Sequence, residues 1–557
     1  MVRLVLVSSE SEDYPSGTVY EKVTDAITIA FHGGPPDFME ETVGHEARFE
    51  LHKSVNRLTY KRMMETLEAV FQTENTRLAL LRDISLGEKD PSGQKIDVQK
   101  IKWFDVGLND SQKQAVLKAL AAKDIALVHG PPGTGKTTAL LEMVRQALSR
   151  KESVFVTAPS NTACDNVLER AVEKGLNAVR LGHPARIANH LREHTLDFKL
   201  ALHPLAKEIA RVETLRATSL QRQRRYHERR SPGREKEIDL HQEISLLTQE
   251  LKNLRKEVFH LVMKEADVFI GTPASVQDRS VREKVFDWVI MDEATQATEP
   301  MSWIPALRAK KFIMAGDHFQ LPPTVRSREA EQKGLGVTLF ERLYKTLPTE
   351  YRMLLERQYR MNEKIMGFSS RIFYEDLLVA DDSVKYQTLS GLKGVKDSPE
   401  TQEPLLFIDT AGKGFEEKLE TGSESRYNPE EAALVLDQLK KMLDLRVKRQ
   451  DIAIICPCSA QVRLLTSQFV MPGLEIDSVD GFQGREKELV IVSLVRSNLT
   501  GELGFLNDTR RMNVAMTRAR RKLIVIGDSA TLSSIPFYKQ FIEYAESVGA
   551  YKTAWEL

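Results

Sequence analysis

"GPPGTGKTT", residues 130–138, follows the apolar run "IALVH" at 125–129 without a break. The stretch fits the pattern G-x-x-x-x-G-K-[ST]. Gly133 and Gly135 allow the backbone to curl so that its N–H groups converge on one point. A helical pattern begins there and adds the positive end of its dipole. Such a loop cradles phosphate oxygens. Lys136 is placed to reach the β- and γ-phosphates, and Thr137 to set its hydroxyl on Mg²⁺. Gly130, Thr134 and Thr138 complete the expected nucleotide-binding set. The bland alternative is an accidental glycine-rich turn, and a strand before with a helix after argues against it.

Working outward, residues 108–325 alternate β-rich runs ("IALVHG", "SVFVTA", "DVFIGT", "DWVIMDE", "KFIMAGD") with helical stretches. That alternation predicts a parallel sheet with helices on both faces. A P-loop needs a carboxylate at the end of a neighbouring strand, and "DWVIMDEATQ" supplies two. Asp292 is expected to join Thr137 in the Mg²⁺ shell, and Glu293 to accept a proton from an attacking water. Gln320 in "AGDHFQLPP" is an uncharged group able to orient that water. A second set of strand-like runs ("PLLFID", "DIAIICP", "ELVIVSLV", "KLIVIGD") spans 404–528. Two arginines lie beyond the first α/β segment, Arg360 in "QYRM" and Arg518 in "RRMNVAMTRARR". An arginine placed against a transferring phosphoryl group is worth ~10³–10⁵ in rate. The bland reading, surface ion pairs, suits Arg510 and Arg521.

The chain carries 79 basic and 79 acidic side chains over 557 residues. A length of that order accommodates roughly two to four domains. Zero net charge argues against indiscriminate coating of nucleic acid but leaves local basic stripes open. No apolar run approaches the ~20 residues of a membrane helix. "MVRLVLVSS" is too short for a signal peptide, so a cytoplasmic protein is expected, or a nuclear one in a eukaryote. Cys164, Cys456 and Cys458 are too few for a four-thiolate zinc site and read as reduced core or strand-end cysteines.

Residues 1–50 read as strands, with "AITIAF" and "ARFEL" alternating around the loop "HGGPPD". Tyr60, Met63, Met64, Leu67, Val70 and Phe71 share one helical face. "GEKDPSGQK" near residue 90 reads as a linker. Between about 184 and 264 the pattern breaks. Leu240, Ile244, Leu247, Leu251, Leu254, Val258 and Leu261 form an apolar seam at 4-3-4-3 spacing. Leu202, Leu205, Ile209 and Val212 begin another. With "RQRRYHERRSPGR" between them, the simplest reading is an inserted antiparallel helical hairpin with a basic tip, Arg222 to Arg234. A dimerising coiled coil is the alternative, and the seam is short for one. The tip either touches backbone phosphates or is a solvated hairpin end.

"LNDSQKQAV", "GPPGTGKTT", "APSNTACDN", "DEATQ", "GDHFQLPP", "QYRM", "SVDGFQGREKE" and "RRMNVAMTRARR" occur in the order found in superfamily 1B helicases. The sequence resembles that family, in the subgroup of the nonsense-mediated-decay RNA helicase. "RLGHPAR", "NPEEA" and "DGFQGREKE" are most similar to the immunoglobulin mu-binding type. The resemblance covers roughly residues 10 to 557. It implies two tandem RecA-like P-loop domains, an N-terminal β-barrel on a helical stalk, which the match enters part-way through, and the inserted hairpin. It implies that Gln112 reads adenine, Tyr359 stacks on the base, and Gly484 and Glu486 line the nucleotide. It places Pro159, Ser160, Asn161, Thr272 and Pro273 on a single strand, by backbone contacts that do not read sequence. Cys458 departs from the family, which often has tyrosine there.

The expected organisation is an accessory barrel and stalk over 1–100, a first RecA-like domain over 101–345 with its insertion, and a second over 346–557. The expected function is an ATP- and Mg²⁺-dependent 5′-to-3′ translocase or helicase on single-stranded DNA or RNA, acting as a monomer. The direction comes from the resemblance alone. Alternatives are a nucleic-acid-stimulated ATPase clamp that unwinds little, and a P-loop ATPase acting on protein.

Overall fold

The structure, a computed structural model, describes residues 2–6, 16–23, 26–31, 49–53, 57–228, 234–278, 280–469 and 471–556. "HGGPPD" and Arg229, Arg230, Pro232 and Gly233 of the basic tip lie outside these residues. Contacts divide the chain into two compact units. The first comprises residues 1–82, 144–292 and 300–312, and the second residues 83–143, 293–299 and 313–557.

The first unit opens with an antiparallel sheet of β1 (Val2–Leu6), β2 (Ser16–Val23), β3 (Ala26–Phe31) and β4 (Phe49–Lys53), in the order β3-β2-β1-β4. The helix Arg57–Gln72 follows. Its apolar face is only partly buried, with Met63 and Leu67 half-buried. Tyr60, Met64 and Phe71 are exposed, while Thr66 and Val70, one turn apart, are buried. Parallel pairing then joins β6 (Val154–Thr157) to β8 (Val268–Gly271) and β9 (Phe286–Met291), and β7 (Ala178–Arg180) to β8. The helices Ala206–Glu228 and Arg234–Glu265 are cross-linked antiparallel. Arg255 pairs with Glu213, Arg216 donates to Thr248, and Ser219 donates to Glu243. Leu240, Leu251 and Val258 of the seam are buried, as is Val212 opposite. Leu202 does not join a seam. It ends the separate helix Leu196–Leu202 and is exposed.

In the second unit β5 (Ile125–His129) is buried at every position and pairs in parallel with β11 (Arg352–Leu354). β10 (Ala309–Gly316) passes from the first unit into the second and ends beside β5, where Gly130 N donates to Gly316 O at 2.9 Å. Short ribbons follow: β12 (Arg357–Gln358) with β13 (Val379–Ala380), and β15 (Lys418–Leu419) with β16 (Arg426–Tyr427). The expected strand runs of 404–528 appear as β14 (Leu405–Asp409), β17 (Ile452–Cys456), β19 (Lys487–Ser493) and β20 (Ala519–Gly527). β18 (Glu475–Ser478) and β21 (Tyr551–Thr553) complete a parallel sheet of order β18-β17-β19-β20-β14-β21. Alternate residues serve opposite faces. Val490, Val492, Leu523 and Val525 join one core with Phe368, Tyr538 and Phe541. Leu489, Ile491, Ile524 and Ile526 join the other with Val435, Leu439 and Met442 of the helix Pro429–Asp444. A sheet covered on both faces has continuous apolar strands, which is why those runs were legible.

"GEKDPSGQK" is not a slack linker. Asp124 accepts from Ser92 N at 2.5 Å and from Ser92 Oγ at 2.6 Å, and Gln94 N donates to Ala121 O. The three cysteines are free and buried. Among the described residues no helix is long and apolar enough to cross a membrane.

Candidate nucleotide site

The loop after β5 turns through two left-handed glycines, Gly133 at φ +77° and Gly135 at φ +71°. Side chains at either would also collide. A Cβ on Gly133 would lie 2.6 Å from Arg360 Cβ, and one on Gly135 2.5 Å from Gln112 Nε2. The loop is fastened at Thr134, whose Oγ1 donates to Pro131 O and whose carbonyl accepts from Gln112 Nε2 at 2.9 Å. Gln112 is itself locked by a capping box. Asn109 Oδ1 accepts from Gln112 N, and Gln112 Oε1 accepts from Asn109 N. Reciprocal caps of this kind fix a helix start, here Asp110–Ala121. Asn109 Nδ2 donates to the Tyr359 hydroxyl, and Tyr359 N donates to Gly133 O at 2.8 Å. Gln112, Tyr359 and the P-loop therefore form one bonded cluster.

Lys136 opens the helix Lys136–Ser149, with Thr137 and Thr138 in its first turn. Its Nζ donates to Glu293 Oε1 at 2.7 Å, and Glu293 Oε2 accepts from Gln296 Nε2. Glu293 sits in the left-handed region at φ 52°, which is uncommon for a non-glycine residue and concentrates at functional sites. Asp292, immediately before it, is buried and donates its N–H to Thr157 O.

The two predicted arginines come to the same cluster. Arg360 follows Tyr359, pairs with Glu486, and donates from Nη1 to Thr517 O at 3.1 Å. Gly484, two residues before Glu486, is left-handed at φ +79°. Arg518 is 3% exposed. Its donors go to Val514 O (3.0 Å), Arg485 O (3.4 Å) and Gln320 Oε1 (3.0 Å), all neutral oxygens. Burial, reinforced by the Arg360 charge, pulls its pKa from 12.5 down to about 9. It remains cationic at neutral pH. The outlying arginines do pair, Arg510 with Asp508 and Arg521 with Glu488.

Residues 107–328 and 335–530 each match a family described as AAA domain. DNA-binding protein SMUBP-2 of Mesocricetus auratus is 38% identical over 555 residues, covering 99% of this chain and 55% of that protein. The uncharacterized ATP-dependent helicase MJ0104 of Methanocaldococcus jannaschii is 36% identical over 588 residues, covering 98% of this chain and 85% of its own. DNA polymerase alpha-associated DNA helicase A of Schizosaccharomyces pombe is 36% identical over 518 residues, covering 91% and 77%. The chain belongs to the superfamily 1 helicases. It spans about half the length of the SMUBP-2 proteins it matches.

In this superfamily 1 member the residues predicted to meet a strand sit in the first unit, at the C-terminal ends of the parallel neighbours β6 and β8. Ser160 caps the helix Asn161–Glu173 by accepting from Ala163 N, and Thr272 shares a hydrogen bond with Ser275. Pro159 precedes that cap and Pro273 follows Thr272. Sequence reasoning missed Arg180, which organises this edge. It is 1% exposed and donates to Asp165 Oδ1 (3.0 Å), Asn161 Oδ1 (3.0 Å) and Leu181 O (2.5 Å). Asp165 Oδ2 in turn accepts from Ala188 N. Asp317, His129 and Tyr374 were also missed, although Gln320 of the same "GDHFQLPP" was expected at the site. That buried carboxylate accepts from His129, Phe319, Gln320 and Tyr374.

Proposed function

We propose that the chain is an ATP-dependent 5′-to-3′ translocase and helicase on single-stranded DNA or RNA, built of RecA-like domains over about 101–345 and 346–557. The accessory strands and stalk helix over 1–100 and the helical insertion over about 184–264 decorate that engine, and a monomer suffices for it. The printed names of the relatives, an ATP-dependent helicase and a DNA helicase, support this reading. One observation carries it: around a single P-loop, Lys136 rests on Glu293, Arg360 rests on Glu486, and a fully buried Arg518 rests on Gln320.

The donor set fits the expected cation. Thr137 and Asp292 offer a hydroxyl and a carboxylate, the hard oxygen ligands that Mg²⁺ takes alongside waters and phosphates. When bound it neutralises charge on the phosphate oxygens. The chain's own residues do the rest. The P-loop amides and Lys136 hold the triphosphate. As Lys136 exchanges Glu293 for phosphate, Glu293 is released to accept the proton of the attacking water. Gln320 orients that water, and Arg518 and Arg360 meet the charge that develops on the transferring group. Pro159, Ser160, Asn161, Thr272 and Pro273 grip the strand through its backbone.

Two measurements test this. ATPase rate should rise with DNA or RNA homopolymer, and the comparison sets the preference between them. A duplex with a 5′ tail should be separated and one with a 3′ tail should not. ATP hydrolysis that never releases a strand would identify a clamp instead. Lack of stimulation by any polynucleotide would refute both.

A further inference from the structure

We infer that His129 is a positioning residue: through Asp317 it fixes which way the Gln320 amide faces, and so where the Arg518 guanidinium stands. The inference rests on the ATPase reading above and adds to it a residue outside the P-loop pattern.

The Asp317 carboxylate has about four lone-pair sites, and four donors fill them. Oδ1 takes His129 Nε2 at 2.9 Å and Phe319 N at 3.1 Å. Oδ2 takes Gln320 Nε2 at 2.7 Å and the Tyr374 hydroxyl at 2.7 Å. Burial alone would raise the Asp317 pKa, but these bonds, led by that from His129, outweigh it and hold it at about 2. The carboxylate is therefore an acceptor at any working pH. An acceptor there leaves the Gln320 amide one orientation. Its NH₂ must face Asp317, and its oxygen then faces Arg518 Nη2 at 3.0 Å. The flipped amide would set oxygen against carboxylate and NH₂ against guanidinium.

The other arm reaches the arginine helix. Asn513 Nδ2 donates to Phe319 O at 2.8 Å and to the Tyr374 hydroxyl at 3.2 Å. Asn513 lies in the helix Thr509–Met516, which leads into Arg518. His129 is the last residue of β5, directly before Gly130. One carboxylate thus joins the strand that launches the P-loop to Gln320 and to the helix that leads into Arg518.

The ring of His129 is 1% exposed, and its Nδ1 has no hydrogen-bond partner. Burying an unpaired ring nitrogen is a penalty that an apolar side chain would avoid. The bond from Nε2 to Asp317 is what the histidine provides in exchange.

The test compares His129→Met, which fills similar space without a donor, with His129→Gln, which restores a donor amide. Polynucleotide-stimulated kcat, KM for ATP, affinity for a fluorescent ATP analogue and thermal midpoint are measured for each. His129→Met should lower kcat by about 10- to 100-fold, the range of a misplaced catalytic group. Analogue affinity should stay within about twofold, and His129→Gln should recover most of kcat. Asp317→Asn, which permits the amide to flip, should behave like His129→Met. Equal losses in His129→Met and His129→Gln, or a kcat that only follows the thermal midpoint, would overturn the inference. So would stoichiometric zinc that is lost in His129→Met, since His318 lies beside His129 and Asp317. A wild-type protein without ATPase activity would refute the functional reading. An active wild type with an unchanged His129→Met would refute the positioning role alone.

Discussion

Replacing Arg518 by methionine should abolish ATP turnover while raising the thermal stability of the nucleotide-free protein. The guanidinium is buried and bonded only to neutral oxygens, and its pKa falls from 12.5 to about 9. A base whose folded pKa lies below its unfolded value is destabilising while it is charged in both states. That penalty is complete below about pH 9 and fades as pH rises from 9 towards 12.5. At 1.36 kcal/mol per pKa unit it comes to about 5 kcal/mol. Methionine removes the charge but strips a partner from three acceptors, at ~1 kcal/mol each and about 3 kcal/mol in all. The net is a gain of about 1–2 kcal/mol, which in a large domain is a rise in midpoint of ~2–4 °C or more. Against this, losing a cation at the transferring phosphoryl group lowers turnover by ~10³–10⁵. Scanning fluorimetry at pH 7.5 and a coupled ATPase assay with saturating oligonucleotide read the two effects. A midpoint several degrees lower would make Arg518 a structural cation. Turnover within tenfold of wild type would remove it from the reaction.

Glu293→Gln should keep nucleotide affinity but lower hydrolysis by ~10²–10⁴, the contribution of a positioned base; phosphate release measured beside analogue binding separates the two. Asp165→Asn leaves the buried Arg180 guanidinium without its counter-charge. It should cost about 3–5 kcal/mol by denaturant titration and weaken single-strand binding, because Asn161 and Ala188 are fastened to the same pair. Glu431 is wholly buried, and burial raises its pKa from 4.5 to about 7 against hydrogen bonds from Ser493 and Val495. Its stabilising contribution is complete below about pH 4.5 and is lost as pH rises through 7. Glu431→Gln should gain on wild type by about 2–3 kcal/mol between pH 5 and pH 8, and parallel stability curves for the two proteins would refute the buried-carboxyl account.

What the sequence made legible is what local physics encodes. The P-loop glycines and the strand runs buried on both faces all lie within short windows. The Asp317 network does not. Three of its members, His129, Asp317 and Tyr374, are separated by 188 and 57 residues, and no spacing rule links them. Arg180 was invisible for a different reason. An arginine closing a strand normally reaches solvent, and here Asp165 and Asn161, brought alongside by the helix Asn161–Glu173, take its donors instead. The helix Arg57–Gln72 shows a partial mismatch, since Val70 of the stripe is buried. Its apolar stripe is real, yet Thr66 is buried while Tyr60 and Phe71 are exposed. Periodicity reports which residues share a face, not how much of that face a neighbour covers.

The resting partners of the three cations also rank their roles. Lys136 and Arg360 rest on carboxylates, Glu293 and Glu486. A phosphate that recruits either must first break an ion pair, so much of the attraction is offset in the ground state. Arg518 rests on an amide oxygen and two carbonyls. It gives up no ion pair in meeting an anion, and it gains more as the anion's charge becomes more concentrated. Catalysis favours interactions that strengthen between ground and transition state. In the proposed mechanism that criterion assigns Arg518 to the hydrolytic step, Lys136 to binding, and Glu293 to both, since the bond that Lys136 surrenders opens one oxygen of that carboxylate.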